Sequence, residues 1–141
     1  MKQLRGVLLI DDNDTSNFLN QRLLKRVQLT DNIKVLNNGR QAFDYMAALS
    51  QQTKVKANQD IKPELILLDI NMPVMDGFEF LELYQELPED FRRDILIAIL
   101  STSSHPQDTG KANFYNAYYI TKPLTIEKIE MLLDMHYATS E

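Results

Sequence analysis

Cysteine does not occur anywhere in this chain, which excludes disulfide staples and thiolate metal sites and leaves nothing that points to an oxidising compartment. Long apolar runs are missing as well. The longest, residues 95–100, falls far short of the ~18 residues a membrane helix needs, so no membrane contact is expected. The opening Met1-Lys2-Gln3-Leu4-Arg5-Gly6 is too short and polar for a signal peptide, and a cytoplasmic protein is expected. Nor is there a strong excess of charge. Twenty Asp and Glu against 15 Lys and Arg leave a net −5, which argues against nucleic acid as a partner. No internal repeat or low-complexity tract occurs. What remains is 141 residues, the size of one ordinary domain, able to bury roughly two-thirds of its unfolded surface without covalent help.

The apolar residues that are present come in short runs, each ending on a polar group. Leu65-Ile66-Leu67-Leu68 stops at Asp69 and turns at once into Ile70-Asn71-Met72-Pro73-Val74-Met75-Asp76-Gly77. Bounded by prolines on both sides, the run reads as a strand buried on both faces, as in a parallel sheet. Val7-Leu8-Leu9-Ile10 repeats the design and ends on Asp11-Asp12-Asn13-Asp14. In an open parallel sheet the carboxyl ends of central strands lie side by side, so Asp11, Asp12 and Asp69 converge on one edge. Three carboxylates that close require a cation, and an all-oxygen set suits Mg²⁺. Two further runs add a hydroxyl and an ammonium to that edge. Residues 95–100 lead into Ser101-Thr102-Ser103-Ser104, and Tyr118-Tyr119-Ile120-Thr121 leads into Lys122-Pro123.

Between these runs lie segments of helical period, giving a βαβα alternation that implies parallel strands. Asp14 or Thr15 is the expected cap of a first helix whose stripe is Leu19, Leu23 and Val27, widened by Phe18 and Leu24. Residues 32–36 read as a second strand, and Asn37-Asn38-Gly39 opens a helix carrying Ala42, Met46 and Leu49. The polar stretch 50–62 is longer than the usual connection of about 2–6 residues and reads as a surface insertion, or a helix extension plus loop, on the side opposite the carboxylates. A third helix carries Phe78, Leu81 and Tyr84, with Leu87 before Pro88 stops it. A fourth, within 107–115, has only Ala112, Phe114 and Tyr115 to pack and is expected to be the least firmly held. The last starts at Thr125 and buries Ile126, Ile129, Leu132 and Leu133 or Met135.

The acidic pair Asp11-Asp12, Asp69 followed by Met72-Pro73 and Asp76-Gly77, then Ser101 and Lys122-Pro123, together resemble a response-regulator receiver domain. The resemblance runs from Val7 to about Met135 with every motif in order. It implies a flavodoxin-like, doubly wound five-stranded parallel sheet of order 2-1-3-4-5 with helices on both faces. The whole chain, 1–141, would be a single receiver domain with a core of about 5–136 and no output domain. The resemblance makes Asp69 the phosphoryl acceptor, with Mg²⁺ held by Asp12 directly, by Asp11 through water or by orienting it, by Asp69, and by the backbone carbonyl of Asn71. Lys122 would pair with Asp69 and then with the phosphoryl group, aimed inward by a cis Lys122-Pro123 bond. Ser101 would hydrogen-bond a phosphoryl oxygen. Tyr119, three residues before Lys122, would be the switch aromatic responding to Ser101. The donor would be a histidine kinase or a histidine phosphotransfer protein, and the output a contact with a downstream protein.

Each residue also has a plainer explanation. Asp69, Asp11 and Asp12 are equally acceptable as turn or cap residues, Ser101 as a cap beside three other hydroxyls, Lys122 as a surface lysine, and Tyr119 as half-buried core. Caps, however, need one oxygen at one place, whereas here three carboxylates reach one edge together with a lysine. Asn13, Thr102 and Tyr115-Asn116 depart from the usual receiver pattern, the last pair putting the packing of the fourth helix in question. His105 and His136 lack partners at ligand spacing and read as solvated. Two other functions compete. A haloacid-dehalogenase-like phosphohydrolase also uses a strand-end Asp with Mg²⁺, but wants an acid two residues on, where Asn71 stands and cannot protonate a leaving group. A pseudo-receiver would bind its partner without phosphorylation.

Overall fold

The computed structural model describes residues 3–51, 62–103 and 105–137. Most of the insertion read into 50–62, namely 52–61, lies outside the described residues. Strands β1 (Val7–Ile10), β2 (Ile33–Leu36), β3 (Leu65–Asp69), β4 (Leu96–Ser101) and β5 (Tyr118–Thr121) form one parallel sheet of order 2-1-3-4-5. β1, β3 and β4 are buried at every residue, because an inner parallel strand covered on both faces has no solvent side. β2 and β5 are edges and only half-buried.

Alternation along the strands divides the core into two layers. Leu8, Ile10, Ile66, Leu68, Ile97 and Ile99 pack on one side against Met46 of α2 (Gly39–Ser50), Phe80 and Tyr84 of α3 (Gly77–Tyr84) and Ala112 of α5 (Pro106–Phe114). On the other side Val7, Leu9, Leu65, Leu67, Ala98 and Leu100 meet Leu24 of α1 (Asp14–Arg26) and Ile129, Leu132 and Leu133 of α6 (Ile126–Tyr137). Because these inner strands are apolar on both faces, a slip of one residue would exchange the two layers while keeping both buried. What it would displace is the polar residues at the strand ends, Asp11, Asp69 and Ser101.

Several local expectations are corrected. Helix α1 buries Asn17 and Leu24, while Phe18 and Leu19 stand 58% and 55% exposed and Leu23 and Val27 sit at the margin. The helix is rolled because Asn17 hydrogen-bonds inward to the Asp11 carbonyl. Its cap is Asn13, whose side chain accepts from the Ser16 N–H at 2.9 Å, rather than Asp14 or Thr15. Pro88 ends the run after α3 as expected and then opens a four-residue helix, α4 (Glu89–Arg92), steadied by Arg92 Nε donating to the Leu87 carbonyl at 2.8 Å. The helices therefore number six among the described residues. In α3 the buried face is Phe80, Leu81 and Tyr84, with Phe78 only partly covered.

Helix α5 does bury a single residue, Ala112, and leaves Phe114 78% exposed. The Tyr115-Asn116 pair does not disturb its end. Asn116 adopts φ 58, the left-handed geometry that Asn tolerates after a helix, and the Ala117 N–H donates to the Ala112 carbonyl at 2.9 Å. Neither histidine is simply solvated. Exposed His105 caps α5, its Nδ1 accepting from the Gln107 N–H at 3.1 Å, and half-buried His136 lies edge-on to Tyr118 and Tyr137. No helix among the described residues is long and apolar enough to cross a membrane.

Candidate functional site

From β1 the chain turns to β2 on one side of the sheet and then crosses to β3 on the other. The loops leaving β1 and β3 therefore diverge and open a crevice over the carboxyl ends of the strands. Register decides what lines it. Ile10 lies opposite Leu68, so the next residues, Asp11 and Asp69, stand side by side. Asp69 is opposite Leu100, and Ser101 is opposite Thr121, which brings Ser101 and Lys122 to the same edge.

Carboxylate oxygens of Asp11, Asp12 and Asp69 all lie within 4.8 Å of one another. Asp11 and Asp69 are buried, and Asp12 faces solvent. Lys122 Nζ donates to Asp11 Oδ2 at 3.1 Å and lies 3.3 Å from Asp69 Oδ1. The lysine thus bridges two acids rather than serving Asp69 alone. Burial, together with the neighbouring negative charge of Asp11, pushes the Asp69 carboxyl from its ordinary 3.8 to about 6, and the opposing pull of Lys122 does not cancel this. Burial acts to lower Lys122, but its hydrogen bond to Asp11 and the charges of Asp69 and Asp11 outweigh that and raise it. One ammonium against three carboxylates leaves the crevice acidic. An all-oxygen set of this spacing fits Mg²⁺. Asp11 is the least free of the three, since Asn13 N–H holds its Oδ1 at 2.9 Å and Lys122 its Oδ2.

The loop carrying exposed Asn71 is folded back by two close approaches that only glycine permits. The Gly77 N–H donates to the Ile70 carbonyl at 2.9 Å, and a Cβ at that position would meet the Asp69 carbonyl oxygen at 2.5 Å. The Gly39 N–H donates to the Met75 carbonyl at 2.9 Å, and a Cβ there would meet the same oxygen at 2.6 Å. Asp76 and Glu79 close a reciprocal capping box at the start of α3, at 2.8 and 3.0 Å. Between these anchors Val74 sits at φ 69, the Met75 N–H reaching back to the Pro73 carbonyl at 2.7 Å in a tight γ-turn.

At the other end of the crevice, Ser101 is buried at the tip of β4, and its Oγ accepts from the Ser103 N–H at 3.1 Å. The carbonyl of Ser103 in turn accepts from the Tyr119 hydroxyl. The Tyr119 ring is partly buried and packs against the core layer that contains Ala112. The Lys122-Pro123 bond is cis. Ser103, which joins Ser101 to Tyr119, went unread in the sequence because four hydroxyl residues in a row give no sign of which one matters. Asn13 was legible as a cap, an Asn three residues before Ser16. Asn17 was masked by its neighbours Phe18 and Leu19. Its one signal was its place seven residues before Leu24 on the same helix face.

A family model described as response regulator receiver domain matches residues 7–134. Among curated proteins, the chain is 30% identical over 130 residues to a probable methanogenesis regulatory protein, FilR2, of Methanothrix harundinacea, covering 91% of this chain and 78% of that protein. It is 30% identical over 125 residues to the response regulator Rcp1 of Synechocystis, covering 87% of this chain and 80% of the other. A solved two-component response regulator from Cytophaga hutchinsonii superimposes with a TM-score of 0.81 at 28% identity, covering 99% of this chain and 100% of its own.

Proposed function

We propose that this chain, which belongs to the response regulator receiver domain family, takes a phosphoryl group onto Asp69 from a histidine kinase or histidine phosphotransfer protein and signals the change by protein contact. Its place in two-component signalling follows from the family and from its relatives. The observation that carries the residue assignment is the meeting of Asp11, Asp12 and Asp69 within 4.8 Å, with Lys122 bridging two of them.

The chemistry is a nucleophilic displacement. A carboxylate oxygen of Asp69 forms the new P–O bond as the P–N bond to the donor imidazole breaks, and the imidazole nitrogen keeps the electron pair and takes a proton. Mg²⁺, when bound by Asp12, Asp69 and the Asn71 carbonyl, would neutralise the charge that otherwise keeps two anions apart. Asp11 holds Lys122 in place, and Lys122 supplies a point charge that passes from the carboxylates to the phosphoryl oxygens. Ser101 donates its hydroxyl proton to one of those oxygens. Moving to do so releases the Ser103 N–H it now accepts from, and Ser103 carries the change to Tyr119 through the carbonyl that the phenol holds. Helix α5, whose one buried residue is Ala112, is lightly packed beside the crevice and so gives way easily. Output then leaves through α5, β5 and α6.

A groove of about 590 Å³ beside Lys122 supports a protein as donor. It runs between α1 and the Pro123-Leu124 turn, apolar at Leu19 and Leu23 and rimmed by Arg22, Lys25 and Arg26. Such a rim suits a partner with an acidic margin. Asn71, an amide two residues after the nucleophile, has no proton to give a leaving alcohol, which disfavours a phosphohydrolase. The only turnover expected is that of the protein's own phosphorylation and dephosphorylation. The test is intact mass after incubation with acetyl phosphate and Mg²⁺. One phosphoryl group should add to the wild type and none to Asp69→Asn, with no catalytic hydrolysis of small phosphate esters. An equal addition to both proteins would refute the proposal.

A further inference from the structure

The acidic loop owes its shape to a residue that carries no charge. Asp11 has all four of its polar atoms engaged: its N–H donates to the Leu36 carbonyl at 3.1 Å, Oδ1 accepts from the Asn13 N–H, Oδ2 from Lys122, and its carbonyl accepts from Asn17 Nδ2 at 2.8 Å. The last bond matters most for Asp12. The Asp11 carbonyl and the Asp12 N–H belong to one rigid peptide plane, so pinning the carbonyl inward against α1 fixes the direction in which the Asp12 backbone, and hence its carboxylate, leaves the strand. Asp12 is the one carboxylate of the cluster that is open to solvent.

Asn17 is itself anomalous where it stands. It is buried at 4% exposure on the core face of α1, and its Oδ1 has no hydrogen-bond partner. Reversing the amide would not help, because Oδ1 would then oppose the Asp11 carbonyl oxygen. An unsatisfied buried acceptor costs about 1–3 kcal/mol; a leucine there, as at Leu24 one heptad along on the same face, would remove that acceptor but leave the buried Asp11 carbonyl without its donor. A position that keeps an amide at that cost is serving something other than packing.

We infer that Asn17 is a positioning residue for the metal ligand Asp12, holding the Asp11–Asp12 peptide plane so that the crevice is set for a divalent cation before one arrives. This rests on reading the crevice as the Mg²⁺ site. Groups that orient metal ligands typically account for about 10–100-fold in affinity. Asn17 touches neither the acceptor nor the phosphoryl group, so its effect is confined to binding of the ion.

The experiment is calorimetric titration of the whole chain with Mg²⁺ alone, for the wild type, Asn17→Leu, Asn17→Ala and Asp12→Ala, with urea unfolding of each in chelator. Both Asn17 variants should bind Mg²⁺ about tenfold more weakly. In chelator Asn17→Leu should stay folded with a stability close to the wild type, because it exchanges one unsatisfied buried acceptor, Asn17 Oδ1, for another, the Asp11 carbonyl, so that weaker binding of the ion cannot be put down to unfolding. At saturating Mg²⁺ both should regain the wild-type rate of phosphorylation by acetyl phosphate. Asn17→Ala carries the test if leucine is too large to fold. Wild-type Mg²⁺ affinity in either folded variant overturns the inference. Wild-type affinity in Asp12→Ala would show instead that the ion binds elsewhere and that the reading of the crevice has failed.

Discussion

Replacing Asp69 by Asn should make the metal-free protein more stable at neutral pH, although it removes the central residue of the site. The carboxyl is pushed from 3.8 to about 6 by burial and by the charge of Asp11. A raised folded-state pKa means that the folded protein holds its proton more tightly than the unfolded chain does. The associated stability is present below 3.8 and is lost as pH rises through about 6. At 1.36 kcal/mol per pKa unit the full loss is about 3 kcal/mol, and because the crevice opens to solvent at Asp12 we expect about 1–2 kcal/mol. Asn has the same shape and no charge, and Lys122 keeps Asp11 as a partner. Urea unfolding in chelator should therefore find the two proteins nearly equal at pH 4.5, with Asp69→Asn ahead by about 1–2 kcal/mol at pH 7.5. Added Mg²⁺ should reverse the order, since ligand binding stabilises only the protein with the intact carboxylate cluster. A variant no more stable than the wild type at pH 7.5 without metal, or a difference that does not change with pH, would refute the reasoning.

Asp12→Ala should abolish most Mg²⁺ binding, whereas Asp14→Ala should leave it intact and Asn13→Ala should cost about 1 kcal/mol as a lost cap; calorimetry and urea melts separate the three. Val74→Asn should raise stability by about 1 kcal/mol, because Val74 is a β-branched residue at φ 69 with 81% exposure and loses no packing; a lower urea midpoint would show that the γ-turn is not strained. Amide hydrogen exchange with beryllofluoride and Mg²⁺ should change chiefly within residues 102–124 beyond the crevice. A response confined to residues 50–62 would place the output there instead.

The strands and the acidic edge were legible because inner parallel strands leave an unmistakable mark, an unbroken apolar run ending on a charge. The charges that end the runs mark the strand ends, and the register that pairs Ile10 with Leu68 brings Asp11 and Asp69 together. Helix α1 was legible as a helix, with Leu24 buried and Leu23 and Val27 packed at the margin, but its exact roll was not. Phe18 and Leu19 dominate the pattern and lie outside, while Asn17 turns inward for a hydrogen bond that no apolar period announces. The same limit hid Phe80, which shares α3 with the more regularly spaced Phe78, and α4, where one proline both ends a run and begins a helix. The bridging of Lys122 between Asp11 and Asp69 depends on side-chain reach across three strands, which sequence spacing does not contain.

The most direct measurement is the position of the phosphoryl group itself, mapped by peptide mass spectrometry after phosphotransfer from a phosphohistidine donor and borohydride reduction of the acyl phosphate. The account predicts one modified residue, Asp69, recovered as homoserine and absent when Mg²⁺ is chelated. Modification of Asp11, Asp12 or a serine in its place, or undiminished modification without Mg²⁺, would contradict it.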